Sequence, residues 1–377
     1  MRLSPAYACL AASVLLLGAC GNSTHNPIVC AGTDTCVLQN YVYATTNASQ
    51  VLVFPVSQNG ALQPPTSVPG PALVGGAIAI SPPSRELFVG DHVLDKVSAF
   101  VLNGNQYLGA PGSPYPGGAG PSLLEAVAST PDGKFVYVLG LNGTISGFSV
   151  AANGSLSVIS GSPFSVAANS VDAVIDASSK FLFAVSASSV SAFTINSTTG
   201  ALSAVGQAVP LPGSTLPSPG FSATTPVGNF LYVPLTGANS VAAFSFDVTT
   251  GALTAVPRSP FAVGSMPQTL TATSTAIYVM DGVDDKISAL AWDKTSGALT
   301  EIGGSPFDAQ GALGGGMATL AGRYLYATQV NNLFSPHTNA VVAFTIDSSG
   351  VLTPVPGSPF PSSVPLWGGI LTSAAVQ

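Results

Sequence analysis

Charge is what this chain has least of. Only 9 of its 377 residues are Lys or Arg and 16 are Asp or Glu, so charged side chains make up 7%, against about 25% in an ordinary soluble domain. A coiled coil or helical bundle covers its solvent faces with Glu, Lys and Arg, and there are too few here. Nucleic-acid binding needs a basic face, and the formal net charge is −7. Long apolar runs are also missing. Past the first twenty positions no stretch of about 20 apolar residues exists, which excludes a polytopic membrane protein. Disorder is excluded from the other side, because 46% of the residues are hydrophobic. Histidine is down to 3 and cysteine to 4, too few for a multi-histidine zinc site or a disulfide scaffold. No Gly-x-Ser-x-Gly elbow, P-loop, Gly-x-Gly-x-x-Gly or His-Glu-x-x-His motif occurs. What is abundant is turn chemistry. Gly at 41 and Pro at 31 make up about a fifth of the chain, well above the roughly 12% of average proteins. The composition is that of a large, turn-rich protein of short strands whose surface is polar through Ser, Thr, Asn and Gln.

The N-terminus gives an address. Met1 and Arg2 precede a mostly apolar stretch from Ala6 to Ala19, the pattern of a secretory signal and too short for a stable transmembrane helix. Its end, Leu17-Gly18-Ala19-Cys20, resembles the lipobox of bacterial lipoproteins. That resemblance implies lipidation at Cys20, a mature chain starting there, and an exported protein anchored to a membrane without spanning it. The alternative is an ordinary signal peptide cut after Ala19, with Cys20 incidental. Cys30 and Cys36 remain, with five residues between them. In an oxidising compartment they are expected to close a small disulfide loop. A metal site is the rival, with His25 alone nearby. Residues 1–19 are therefore read as signal, 20–39 as a tether, and 40–377 as the folded domain.

Internal repeats set the fold. Gly-Ser-Pro-aromatic recurs at Gly112–Tyr115, Gly161–Phe164, Gly304–Phe307 and Gly357–Phe360, with Arg258–Phe261 as a variant. Upstream of it a Gly-Ala-Leu-like triad recurs at Gly60, Gly154, Gly200, Gly251, Gly297 and Gly350, with a degenerate copy at Gly104. These glycines are spaced by 44, 50, 46, 51, 46 and 53 residues, and a repeat of roughly 40–50 residues containing several strands marks a propeller. Each repeat parses into four strands, as in Leu124–Ser129, Phe135–Val138, Thr144–Val150 and Ser155–Phe164. The predicted fold is all-β: a seven-bladed β-propeller of four-stranded blades. The domain opens on a second strand at Tyr41 and ends on an unpaired segment, Gly368 to Val376, which is expected to supply the first blade's inner strand and so remove an open seam.

Second strands of the Lys-Phe-Val-Tyr-Val type, third strands of the Val-Ser-Ala-Phe-Thr-Ile type, Thr-Thr-Gly-Ala-Leu and Gly-Ser-Pro-Phe resemble the lactonase-family seven-bladed β-propellers. These are similar to propeller-type 6-phosphogluconolactonases and to carboxymuconate cyclases. The resemblance covers about residues 40–377 and implies lactone chemistry at a central mouth, carried by His, Arg and Glu near the starts of the inner strands. At the matching positions this chain has Glu125 and Ala126, Val171 and Asp172, Gly220 and Phe221, Pro267 and Gln268, and Gly314 and Gly315. No His or Arg is among them, so an anionic sugar phosphate finds no arginine clamp there.

The mouth is instead read as acidic. The candidate catalytic residues are Glu125, Asp172 and His92; the candidate binding residues are Asp91, Asp95, Gln268, Asp281, Asp284, His337 and Trp367. Such a set suits a neutral lactone or a sugar, with Glu125 or His92 as general base. Asp285 adds a further carboxylate, and oxygen-rich loops of this kind also suit a cation. Turn aspartates equally serve local backbone roles, and Asp95-Lys96 and Asp285-Lys286 read as surface pairs. Trp292 is expected to pack between blades, while Trp367 precedes the closing strand. No cofactor or resident metal and no nucleic-acid partner is expected, and a monomer is. The function expected is an envelope-anchored lactonase-like hydrolase or, alternatively, a non-catalytic propeller binding a glycan or a surface protein.

Overall fold

The computed structural model describes residues 28–31, 35–38, 40–46, 48, 50–69, 77–81, 86–91, 94–103, 106–118, 124–212, 223–225, 228–329 and 339–372. Signal segment and Cys20 lie outside these, as do His92 and His337; of Cys30, Cys36 and Trp367 only the backbone is described. Before the domain, Ile28–Ala31 and Thr35–Leu38 form a small antiparallel hairpin whose register sets Cys30 opposite Cys36.

Seven antiparallel sheets follow; six are built inner strand to outer strand in chain order, and the first takes its inner strand from the C-terminal end. Blade three shows the pattern, with Leu124–Ser129, Phe135–Gly140, Thr144–Val150 and then Leu156–Val158 and Phe164–Ser165. The second strands are buried along their whole length because both faces are covered: Phe135, Tyr137 and Leu139 pack toward blade four, while Val136 and Val138 pack toward blade two. A strand buried on both faces carries a continuous apolar run. There are seven interblade cores, one per junction, and the seventh joins Leu320, Tyr326 and Val341 of blade seven to Val42, Phe54 and Val56 of blade one. Trp292 packs in the core between blades five and six, its indole N–H donating to Thr273 O at 3.0 Å.

The expected closure is observed, but the closing strand starts at Leu366 rather than Gly368, so Trp367 lies within it instead of preceding it. Leu366–Thr372 pairs antiparallel with Asn40–Thr46 as the inner strand of blade one. The two repeated sequence signatures also acquire causes. In five blades the serine of the Ser-Pro-aromatic tetrad precedes a cis peptide bond. There the outer strand leaves the ladder, and the serine Oγ accepts the third-strand N–H left without a partner: Ser113 from Ala99, Ser162 from Gly147, Ser259 from Ala243, Ser305 from Ala289 and Ser358 from Ala343, at 2.8–3.0 Å. Blade four has no tetrad, and its outer strand Leu202–Pro210 runs on.

The second signature ties blade to blade. Tyr137, Tyr232 and Tyr278 donate across an interface to the carbonyls of Gly200, Gly297 and Gly350 at 2.7, 2.9 and 3.0 Å. Tyr326 does the same to Gly60 O at 2.9 Å, across the junction where the ring closes. The glycine is required: Gly200 has φ +74, and a Cβ there would lie 2.5 Å from Phe135 and 2.6 Å from Ile159.

Candidate functional site

The loops from second to third strands and from outer to next inner strands share one end of the ring. They are tied together by recurring backbone bonds: Gly117 N–H to Asp95 O, Val166 to Gly143 O, Val263 to Asn239 O and Ala309 to Asp285 O. Lys134 and Arg323 lie at the other end, where Lys134 pairs with Asp132 at 3.1 Å and the Arg323 guanidinium sits 6.0 Å from the Tyr324 ring centre, whereas Lys96 and Lys286 open third strands at the mouth end.

The inner strands deliver side chains to the mouth through bulges. Pairing skips one residue between Leu124 and Ala126, between Ser170 and Asp172, and between Pro267 and Thr269. The skipped residues are Glu125, Val171 and Gln268, all half-buried. A bulge re-aims the residue it leaves unpaired, so Glu125 and Gln268 occupy equivalent, specially presented positions. Gln268 lays its amide against Gly282 in the loop of its own blade. Asp172 is one position further on, buried, with Oδ1 accepting the Ala173 N–H at 2.9 Å.

The loop aspartates divide by position. Asp95 and Asp285 both have φ +52, the left-handed turn position held by Gly143 (φ +80) and Asn239 (φ +47) in blades three and five; Asp and Asn tolerate that conformation better than most residues. Asp91 is buried at the end of its second strand and accepts the Leu94 N–H at 2.8 Å. Asp284 accepts the Ser265 N–H at 2.7 Å, and its bonds to Ser265 hold its carboxyl below the usual carboxylate range.

Asp281 differs from all of these. It ends the second strand of blade six with its side chain fully buried and turned toward blade five, against Gly264. Ser288 Oγ donates to its Oδ2 at 2.7 Å, while Oδ1 has no hydrogen-bond partner. Burial, reinforced by the neighbouring Asp284 and opposed by the Ser288 bond, pushes this carboxyl up to about 6. Ser288 was not a sequence candidate. Its signal is positional: it shares a strand face with Leu290, which packs toward blade five as Asp281 does. Among the described residues no cluster of three or more His, Cys, Asp or Glu is arranged to hold a metal ion. No helix among them is long and apolar enough to cross a membrane.

Against known proteins, the family model described as lactonase, 7-bladed β-propeller, matches residues 213–365, which span blades five to seven. No curated protein matches the sequence. A solved Bacteroides uniformis protein, provisionally named a 6-phosphogluconolactonase, is similar in structure at 17% identity and TM-score 0.68, covering 89% of this chain and 99% of that one. A functionally unknown Desulfotomaculum acetoxidans protein gives the same values, and a Lactobacillus plantarum protein aligns at 15% identity and TM-score 0.64, over 89% and 98% of the two chains. At such identities the structural likeness speaks for the fold. Together, the family match over three consecutive blades and the closed ring of seven bear out the chain's resemblance to the lactonase-type seven-bladed β-propellers.

Proposed function

We propose that this protein is an exported, lipid-anchored hydrolase that opens a neutral lactone in the central mouth of its propeller. The observation that carries the reading is the pair of inner-strand bulges that present Glu125 and Gln268 at equivalent, half-buried positions. A half-buried carboxylate there is a general base for an attacking water. Gln268, with two amide donors, suits a carbonyl oxygen that gains charge as the ring opens. The scarcity of cations on this face favours an uncharged substrate over a sugar phosphate. The family match supports the reaction class, while the signal-like N-terminus and Cys20 support the address.

The test is a panel of neutral and phosphorylated lactones offered to the purified full chain, with ring opening followed by proton release. Neutral members are expected to turn over, and Glu125→Gln to lower kcat by about 100-fold. No turnover on any member would overturn this reading. A second one, a non-catalytic propeller that binds a glycan or surface protein through the same mouth, is favoured by the absence of His and Arg at the inner-strand positions that carry them in the resembled family. Binding of a glycan to wild type and Glu125→Gln alike, without turnover, is its signature.

A further inference from the structure

The seam between blades five and six carries a cleft that the mouth does not explain. It has a volume of about 300 Å³ and lies on the outer side of the ring. The tail of blade five, including Val263 and Gly264, forms one wall; Ser288, Leu290, Glu301 and Pro306 of blade six form much of the other. Among the described residues no Lys, Arg or His lines it.

Its inner wall is electrically unusual. Ser288 spends its proton on Asp281 Oδ2 at 2.7 Å, so the hydroxyl faces its surroundings as an acceptor. One lone pair takes the Gly264 N–H at 3.3 Å, and a hydroxyl oxygen has a second to offer. Behind Ser288 and Gly264 stands the Asp281 carboxyl, fully buried and with Oδ1 unpartnered. A buried carboxylate with an unfilled acceptor favours a nearby positive charge. Glu301, exposed at the outer end, adds a second carboxylate, and no ion pair among the described residues engages it. Lys286 opens the third strand at its mouth end and acts on Asp284.

We propose that this cleft binds a small primary ammonium ion with a short aliphatic body. An ammonium has three donors and no acceptor, which matches a site offering the Ser288 hydroxyl and the Glu301 carboxylate as acceptors. Val263, Leu290 and Pro306 supply apolar walls for a chain of a few methylenes. A neutral alcohol of the same length lacks the charge that Asp281 and Glu301 attract. A carboxylate of that length is repelled.

The experiment is an NMR titration of the purified full chain with n-butylammonium, n-butanol and butyrate at matched ionic strength. Saturable binding of n-butylammonium alone is expected. Ser288→Ala should weaken it by about tenfold, through loss of the charge-polarised acceptor. Glu301→Gln, at an exposed strand end where folding is not at risk, should weaken it by about threefold. Equal binding of n-butanol, an affinity unchanged in Glu301→Gln, or no saturation on the order of 100 mM would each overturn the proposal.

Discussion

Asp281→Asn is the most informative single perturbation of stability. In the folded protein the Asp281 carboxyl titrates at about 6, raised by burial from the ordinary 3.8. Well below pH 3.8 it is neutral in both folded and unfolded chains and costs nothing. From about pH 3 to 6 the unfolded chain ionises while the folded chain holds its proton, so folding loses free energy as pH rises. Above 6 the loss levels off. With 2.2 pH units between 3.8 and about 6, the full cost is about 3 kcal/mol at roughly 1.4 kcal/mol per unit. Asparagine keeps the shape but does not titrate. Its change in hydrogen bonding to Ser288 adds an offset that is the same at every pH. The difference between variant and wild-type stability should therefore move by about 3 kcal/mol in favour of the variant between pH 2 and 8. Urea denaturation of both proteins at unit pH steps measures it, and the subtraction removes every other titrating group. A difference flat with pH would show that the folded carboxyl titrates near its unfolded value. A difference of opposite sign would show that its anion is stabilised by a positive group, and either result refutes the argument.

Other expectations follow from the ring. Tyr326→Phe removes the hydroxyl that reaches Gly60 O across the closing junction and should cost about 1–2 kcal/mol in denaturant unfolding, because a buried carbonyl loses its donor. Ser162→Ala strips the acceptor from the Gly147 N–H; a loss of about 1–2 kcal/mol is expected, and full stability would refute the tetrad's assigned role. Ending the chain at residue 365 deletes the inner strand of blade one. The truncated protein should aggregate through its exposed edge, as seen by light scattering, and wild-type solubility and melting would contradict the closure argument.

Scarce charge and recurring Tyr–Gly ties describe one design. A blade's second strand is covered on both sides, so polar groups enter the cores only where a partner waits: the tyrosine hydroxyls meet glycine carbonyls, and the tetrad serines meet third-strand amides. Four buried groups among the described residues depart from this rule, Glu86 Oε2, Thr225 Oγ1, Ser240 Oγ and Asp281 Oδ1; of these, Asp281 stands behind the cleft at the seam between blades five and six.

The fold was legible in the chain because it is written seven times. Gly-Ala-Leu and Gly-Ser-Pro-Phe fixed the repeat length, the period-two strands fixed the blade, and the missing first inner strand, with a spare one at the end, fixed the closure. Those are local or periodic signals, and each copy reinforces the others. The roles of the mouth aspartates were not legible, because Asp91, Asp95, Asp281 and Asp284 look alike in sequence. Only the register of each loop decides whether such a carboxylate holds a left-handed turn, caps an amide or is sealed between blades. The bulges that single out Glu125 and Gln268 depend likewise on how the inner strand pairs with its neighbour. Sequence by itself thus determined the ring, since backbone pairing and apolar burial repeat with the chain. The tertiary structure decided which carboxylates face water, a turn or a blade seam, since burial and electrostatics belong to neighbours that lie far apart in the chain.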